Sequence, residues 1–95
     1  LSWSGWRVRM STDTLLADRG SRYGLFIEQT RIISGLVGVM RQNGLDELET
    51  DQQEALHQIA TKISRILNGD ADYVDNWDDI GGYSGLVAKR LRGEE

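Results

Sequence analysis

Cysteine and proline are both missing from this sequence, and histidine occurs only once, as His57. The absence of cysteine excludes disulfides, thiolate metal sites and cysteine nucleophiles, and it fits a reducing compartment. His57 is predicted on the exposed side of a helix, which leaves no basis for a Ser-His-Asp arrangement. No GxxxxGK[ST] or GxGxxG motif occurs, so a glycine loop that binds phosphate is not indicated. The commonest nucleophilic chemistries therefore have no residues to perform them.

Long hydrophobic runs are missing as well. No apolar stretch approaches the roughly 20 residues of a membrane span, and no signal-peptide pattern is present. We therefore expect a cytoplasmic protein that has no membrane partner. The formal charge of -4 and the pI near 4.9 also disfavour binding to nucleic acid.

The residues that are present indicate one globular domain of the all-α class. Hydrophobic residues (39%) and charged residues of both signs (27%) are mixed along a chain of 95 residues. Apolar residues recur at helical spacing in three segments, which predicts a small bundle of three main helices near residues 22–42, 50–68 and 73–92. We expect residues 1–11 to form a flexible N-terminal extension and residues 12–95 to form a single helical domain. Ten side chains on these stripes are expected to be buried: Phe26, Ile33, Leu36, Ile59, Ile63, Ile66, Trp77, Ile80, Val87 and Leu91.

Local signals suggest where each helix begins and ends. Ser21 is a plausible N-cap for the first helix, and Asn43-Gly44 is a natural stop for it. Thr50 and Gln53 have the spacing of a capping box at the start of the second helix. Asp72 or Asp75 is expected to cap the third helix. Within the first helix, Gln29 lies in the middle of the apolar arc and is expected to be a buried amide.

The apolar arc of the first helix is about 160° wide, broader than the ~100° stripe that one neighbouring helix covers. Two neighbours in one small chain do not account for such an arc. We therefore expect the bundle to be completed by oligomerisation, most simply as a homodimer with two-fold symmetry.

The most chemically loaded stretch is residues 75–83, DNWDDIGGY, which combines acids, aromatics and glycines at the start of the third helix. Asp75 and Asp79 lie four residues apart on one side of that helix. With Glu28 they could supply oxygen ligands to Mg2+, or they could instead pair with Lys62 and Arg65 in a network between helices. Pairing is favoured for Asp79, whereas Asp75 is left as a ligand or a cap. Two glycines follow inside the helix, which indicates that a backbone or a ligand approaches that side closely.

Three segments together resemble a family of small bacteriophage and prophage proteins. They are residues 19–24 (RGSRYG), residues 62–66 (KISRI) and residues 75–83 (DNWDDIGGY), and the last is the most specific. Such proteins are similar to the all-α MazG-like nucleoside triphosphate pyrophosphatases, which hold Mg2+ on acidic helix motifs and cleave nucleotides. The resemblance covers roughly residues 17–91. It implies a site with Asp75, Asp79 and Glu28 toward the metal and Lys62, Arg65, Tyr83 and Arg19 toward the nucleotide.

Two functions from different classes follow. The first is a MazG-like phage protein that binds, and in an active form hydrolyses, a nucleotide with Mg2+. Lys62 and Arg65 stand where those enzymes carry acids, so hydrolysis stays open. The second is a non-enzymatic phage protein that binds and inhibits a host protein, such as a defence or replication factor.

Overall fold

The structure is a computed structural model that describes residues 15, 16, 18, 20 and 22–95. Three α-helices follow in order: α1 (Phe26–Gln42), α2 (Thr50–Asn68) and α3 (Val74–Leu91), with a single 3₁₀ turn, Leu45–Glu47, before α2. No strand occurs in the described part of the chain, which confirms the all-α class. The predicted extension over residues 1–11 lies outside the described residues.

The first helix begins four residues later than predicted. Arg22 and Tyr23 are helical, but they are separated from α1. Gly24 adopts a φ of 79° and Leu25 is extended, so α1 starts at Phe26. A side chain at position 24 would collide with Asn68, whose amide Nδ2 donates to the carbonyls of Tyr23 (3.0 Å) and Leu25 (2.9 Å). Glycine is required at this position both by its φ and by the close approach of α2. Ser21, the predicted N-cap, lies outside the described residues.

The start of α2 carries a capping box one residue earlier than predicted. The backbone N–H of Glu49 donates to the side-chain oxygen of Gln52 at 3.1 Å, so the pair is Glu49 and Gln52. Gln53 instead donates to the carbonyl of Leu48 at 2.9 Å, which ties the helix to the loop before it. The assignment to Thr50 and Gln53 is therefore wrong. The stop at Asn43-Gly44 is confirmed, with Gly44 at a φ of 98°.

The start of α3 also differs from the prediction. The residue that precedes the helix is the extended Tyr73, and no side chain caps the helix. Asp70 accepts the backbone N–H of Asp72 at 2.9 Å within the turn, so neither Asp72 nor Asp75 is the cap.

The three helices form an open layer with α2 in the centre. α1 and α3 each pack against α2 rather than against each other. Ala60 and Asn68 of α2 contact the α1 side, whereas Asp51 and Lys62 pair with α3. At about 100° per residue, these two sets of side chains lie roughly 150° apart around α2. Successive helices are antiparallel, because the end of α2 meets the start of α1 and residue 51 meets residue 90.

The layer has a small core and does not close over its apolar stripes. The buried hydrophobic side chains are Val37, Leu45, Ala55 and Ala60. None of the ten residues expected to be buried reaches that class, and Phe26, Trp77 and Leu91 are 73%, 54% and 61% exposed. That prediction is wrong because the helices flank α2 side by side, and no element of the described residues covers the layer. Gln29 is buried as predicted, at 5% exposure.

Among the residues that the structure describes, no helix is both long enough and apolar enough to cross a membrane.

Candidate functional site

One side of the helical layer is a continuous apolar surface, here called the apolar face. Its centre on α2 is a row of four residues spaced 3 and 4 apart, the α2 seam: Leu56, Ile59, Ile63 and Ile66. By helical geometry the seam points between the directions of α1 and α3, out of the layer. The flanking helices add Leu36 and Val39 on α1 and Trp77, Ile80, Val87 and Leu91 on α3. Shallow pockets that join Leu56 to Met40 of α1 and to Val87 of α3 show that the three stripes adjoin.

The opposite side of the layer is polar. α2 presents Glu54, His57 and Thr61 there, and His57 is exposed as predicted. A groove beside His57 is lined on α1 by three polar residues, Thr30, Ser34 and Arg41, and by Ile33, Val37 and Gly38. The layer therefore has one face that resembles a protein surface and one that resembles half of a protein core.

The contact between α2 and α3 contains two ion pairs beside apolar side chains such as Ala55 and Val87. At one end, the Arg90 guanidinium binds both carboxylate oxygens of Asp51, with Nη2 at 2.8 Å from Oδ1 and Nε on Oδ2. Two parallel hydrogen bonds fix the orientation of the guanidinium against the carboxylate, and with it the register of α3 along α2. The hydrogen bond from Arg90 lowers the pKa of Asp51 below its ordinary value, and the same bond raises the pKa of Arg90.

Further along the same contact, Lys62 Nζ lies 2.9 Å from Asp79 Oδ2. The Lys62 side chain is only 12% exposed, whereas the Asp79 side chain is 48% exposed. The pairing predicted for Asp79 is therefore present. Lys62 depends on this pair more than Asp79 does, because a mostly buried ammonium needs a counter-charge more than a half-exposed carboxylate does.

Arg65 does not join that network. Its guanidinium lies 4.4 Å from the centroid of the Tyr23 ring, and Tyr23 meets Tyr73 edge to face at 6.1 Å. Arg22 in turn lies 4.9 Å from the Tyr73 ring centroid. The cation predicted to pair with the acids or to bind phosphate is instead held by aromatic rings at the junction of residues 22–25 with α2.

The three acids predicted to share a metal ion are engaged separately. Glu28 pairs with Arg31 on α1 at 2.8 Å, and Asp75 accepts a hydrogen bond from the Tyr73 hydroxyl at 2.8 Å. That bond raises the pKa of Tyr73. Within the described residues, no three acidic or histidine side chains lie together in a way that could hold a metal ion. The structure thus does not assemble Asp75, Asp79 and Glu28, because Asp79 faces Lys62 while Glu28 pairs on its own helix.

Of the residues predicted to bind a nucleotide, Lys62, Arg65 and Tyr83 are described and Arg19 is not. Tyr83 is half-buried on α3 and lines a cleft of about 290 Å³ with residues such as Ala55, Leu86 and Arg90. The cleft is largely apolar, and Asp51, Glu54 and Glu95 lie at its edge. The basic residue that lines the cleft is Arg90, and it is already paired with Asp51, so it is not free to bind a phosphate group.

Two features of α3 differ from the sequence interpretation. Asn76 is 1% exposed against α2, and its amide nitrogen has no hydrogen-bond partner within the described residues. A sequence signal could have found it, because Asn76 stands 4, 7 and 11 residues before Ile80, Tyr83 and Val87 and so shares their side of α3. Gly81 and Gly82 are exposed, and an added Cβ would meet nothing at either position. The close approach expected at these glycines is therefore not made by any part of the chain that the structure describes.

Comparison with known proteins adds no relative: no family model, no curated protein and no solved structure matches this chain.

Proposed function

We propose that this chain is a non-enzymatic binding protein that acts through association of its apolar face with a helix of another polypeptide. The observation that carries the proposal is the open layer itself. Trp77, Leu91 and Val39 are 54%, 61% and 59% exposed around a seam made only of leucine and isoleucine. A face of this kind on a soluble helical layer marks an interaction surface.

The spacing of the seam favours a helical partner. Apolar residues at alternating intervals of 3 and 4 form the row into which the side chains of a second helix pack. A flat or extended partner would leave the gaps between these side chains unfilled. If the resemblance to phage proteins holds, a host protein is the partner that it implies.

The nucleotide hypothesis receives less support from the geometry. Its phosphate ligands are engaged, Lys62 by Asp79 and Arg65 by Tyr23. Its metal ligands are dispersed over α1 and α3. Melting the protein with Mg2+ and each nucleoside triphosphate tests it directly, since a ligand at 100 times its Kd adds about 2.7 kcal/mol of stability. We expect no change in Tm, and a rise of several degrees would restore the nucleotide hypothesis.

Face-specific crosslinking tests the proposed function. A photoreactive amino acid is placed at Ile63 in the seam, and in a matched variant at His57 on the opposite side of the same helix. In living bacteria that express the chain, Ile63 should form crosslinks to a defined protein and His57 should not. Equal crosslinking from both positions, or none from Ile63, would remove the support for the apolar face as a binding surface.

A further inference from the structure

We propose that the helix that covers the seam is α2 of a second copy of this chain, antiparallel to the first about a two-fold axis that passes in front of the seam at the level of residue 61. This inference rests on the proposed function and names the partner of the same face. The arrangement makes two layers of three helices each, packed face to face. Such a sandwich supplies the second layer that a stable domain requires and that the described residues of one copy do not provide.

The seam is complementary to itself in this orientation. Residues 56 and 66 are equally far from residue 61, and so are residues 59 and 63. An antiparallel two-fold axis therefore places Leu56 of one copy beside Ile66 of the other, and Ile59 beside Ile63. Every apolar side chain of the seam then meets another apolar side chain, as an isologous interface requires.

Charge does not oppose this pairing even though each copy carries a formal charge of -4. The seam and Gln52, the residue one turn before it on the same side, are uncharged. The charged residue that borders the seam is Lys62, and Asp79 of the same copy already neutralises it. The acids of the described residues lie mainly in two groups, residues 46–54 and 70–79, at the two ends of α2 and not within the seam.

The available area suits a dimer. The half-buried seam, with Val39, Trp77 and Leu91 more than half exposed around it, presents apolar surface on the order of 600 Å², against roughly 800 Å² per partner in a stable interface. Single helices that dock on the seam alone would leave the three flanking residues in water. A second layer of the same width covers them as well.

The first measurement is the mass of the purified chain by sedimentation equilibrium at tens of micromolar. The expected mass is twice the 10.7 kDa of one copy. Ile63→Glu should weaken the dimer at least tenfold, whereas His57→Glu, which adds the same charge on the opposite face, should leave it intact. A parent protein that stays monomeric would overturn the inference.

If circular dichroism shows that Ile63→Glu is unfolded, that variant carries no information about the dimer, so a second test does not depend on it. Because the sequence contains no cysteine, single variants Ile59→Cys and Ile63→Cys report on neighbours without interference. Under mild oxidation, a mixture of the two variants should form a disulfide-linked dimer much faster than either variant alone. Equal or faster crosslinking in either variant alone would indicate a parallel register and would overturn the antiparallel arrangement.

The two proposals fail in distinguishable ways. If the chain is monomeric and position 63 still crosslinks to a different protein while position 57 does not, the apolar face binds a partner but the second copy is excluded. If position 63 forms no specific crosslink of any kind, both proposals fall together.

Discussion

Among the described residues, both long contacts of α2 bury small apolar side chains, but ion pairs cross only the contact with α3. Toward α1, Ala60 packs into an apolar cluster with Val37 and Leu45. Toward α3, the same helix offers Asp51 and Lys62, which bind Arg90 and Asp79 across the interface. The contact of α2 with α1 is therefore mainly apolar, whereas its contact with α3 adds two ion pairs.

The difference has a physical consequence for each contact. Apolar packing contributes stability that depends little on pH, but it fixes position loosely when the side chains are small. Ion pairs contribute less stability at a partly exposed interface, yet they define which residues lie opposite each other. We expect the α1–α2 contact to supply most of the free energy of folding and the α2–α3 contact to supply the register.

The largest effect is expected from the apolar contact. Leu45→Ala removes a side chain that is 5% exposed and should lower the free energy of unfolding by about 2–4 kcal/mol. The matched control, Leu86→Ala on α3, removes a side chain that is 58% exposed and should cost less than about 1 kcal/mol. Urea denaturation measures both. Equal losses would show that the α1–α2 contact is not the stronger one.

A smaller effect is expected from the partly buried ion pair. Asp79→Asn leaves the Lys62 ammonium without its counter-charge and should cost about 1–2 kcal/mol, less than a fully buried pair because Asp79 is half-exposed. Asp75→Asn should cost less than about 0.5 kcal/mol, since the Tyr73 hydroxyl can still donate to the amide oxygen. Chemical denaturation of the two single variants separates them. An Asp79→Asn variant that is as stable as the parent would show that the pair contributes nothing.

Asn76 is expected to change stability in the opposite direction. Its buried amide nitrogen lacks a hydrogen-bond partner within the described residues, so the isosteric change Asn76→Leu should raise the free energy of unfolding by about 1 kcal/mol. Asn76→Asp serves as the contrasting variant, because it buries a charge at the same position. A loss of stability in Asn76→Leu would reveal that the amide makes a bond through water.

The smallest effect should come from the exposed end of the charged contact and should depend on pH. Arg90 lowers the folded-state pKa of Asp51 below the ordinary 3.8, so the ionised pair adds stability above that value and loses it as the pH falls through the lowered pKa. Asp51→Asn should therefore be less stable than the parent at neutral pH and equal to it in acid. In an Arg90→Gln background the same change should have a much smaller effect, because only the backbone N–H groups of Gln52 and Asp51 then lower the pKa of Asp51. A difference that persists at low pH would contradict the assignment to this pair.

The helices themselves could be predicted well. The bounds 50–68 for α2 were correct and those of α3 were off by one residue at each end, since apolar periodicity and the Asn-Gly stops act within a few residues of chain. The helix caps were predicted less well. The capping box of α2 begins at Glu49 rather than Thr50, and no side chain caps α3. Several polar residues near one helix end compete for the same backbone groups, and packing of the preceding loop chooses among them.

The candidate site could be predicted only in part. Lys62 and Asp79 were expected to meet, and they do, because opposite charges beside apolar stripes on antiparallel helices tend to pair. Arg65 was expected to reach an acid, but it stacks on Tyr23 from a segment 42 residues earlier. The sequence does not show the angle between α1 and α3 about the axis of α2. That angle decides which charged side chains can meet.

The sequence by itself determined the helical class, the three segments and the 3-and-4 spacing of their apolar stripes, because these depend on the 3.6-residue period of the helix and on local stop signals. Only the tertiary structure decided where the stripes point. With α1 and α3 on nearly opposite sides of α2, Trp77 and Leu91 face outward, and the isoleucines of the seam become part of a surface. Periodicity identifies one apolar side on each helix, but the crossing of three helices decides whether those sides meet one another or remain open to a partner.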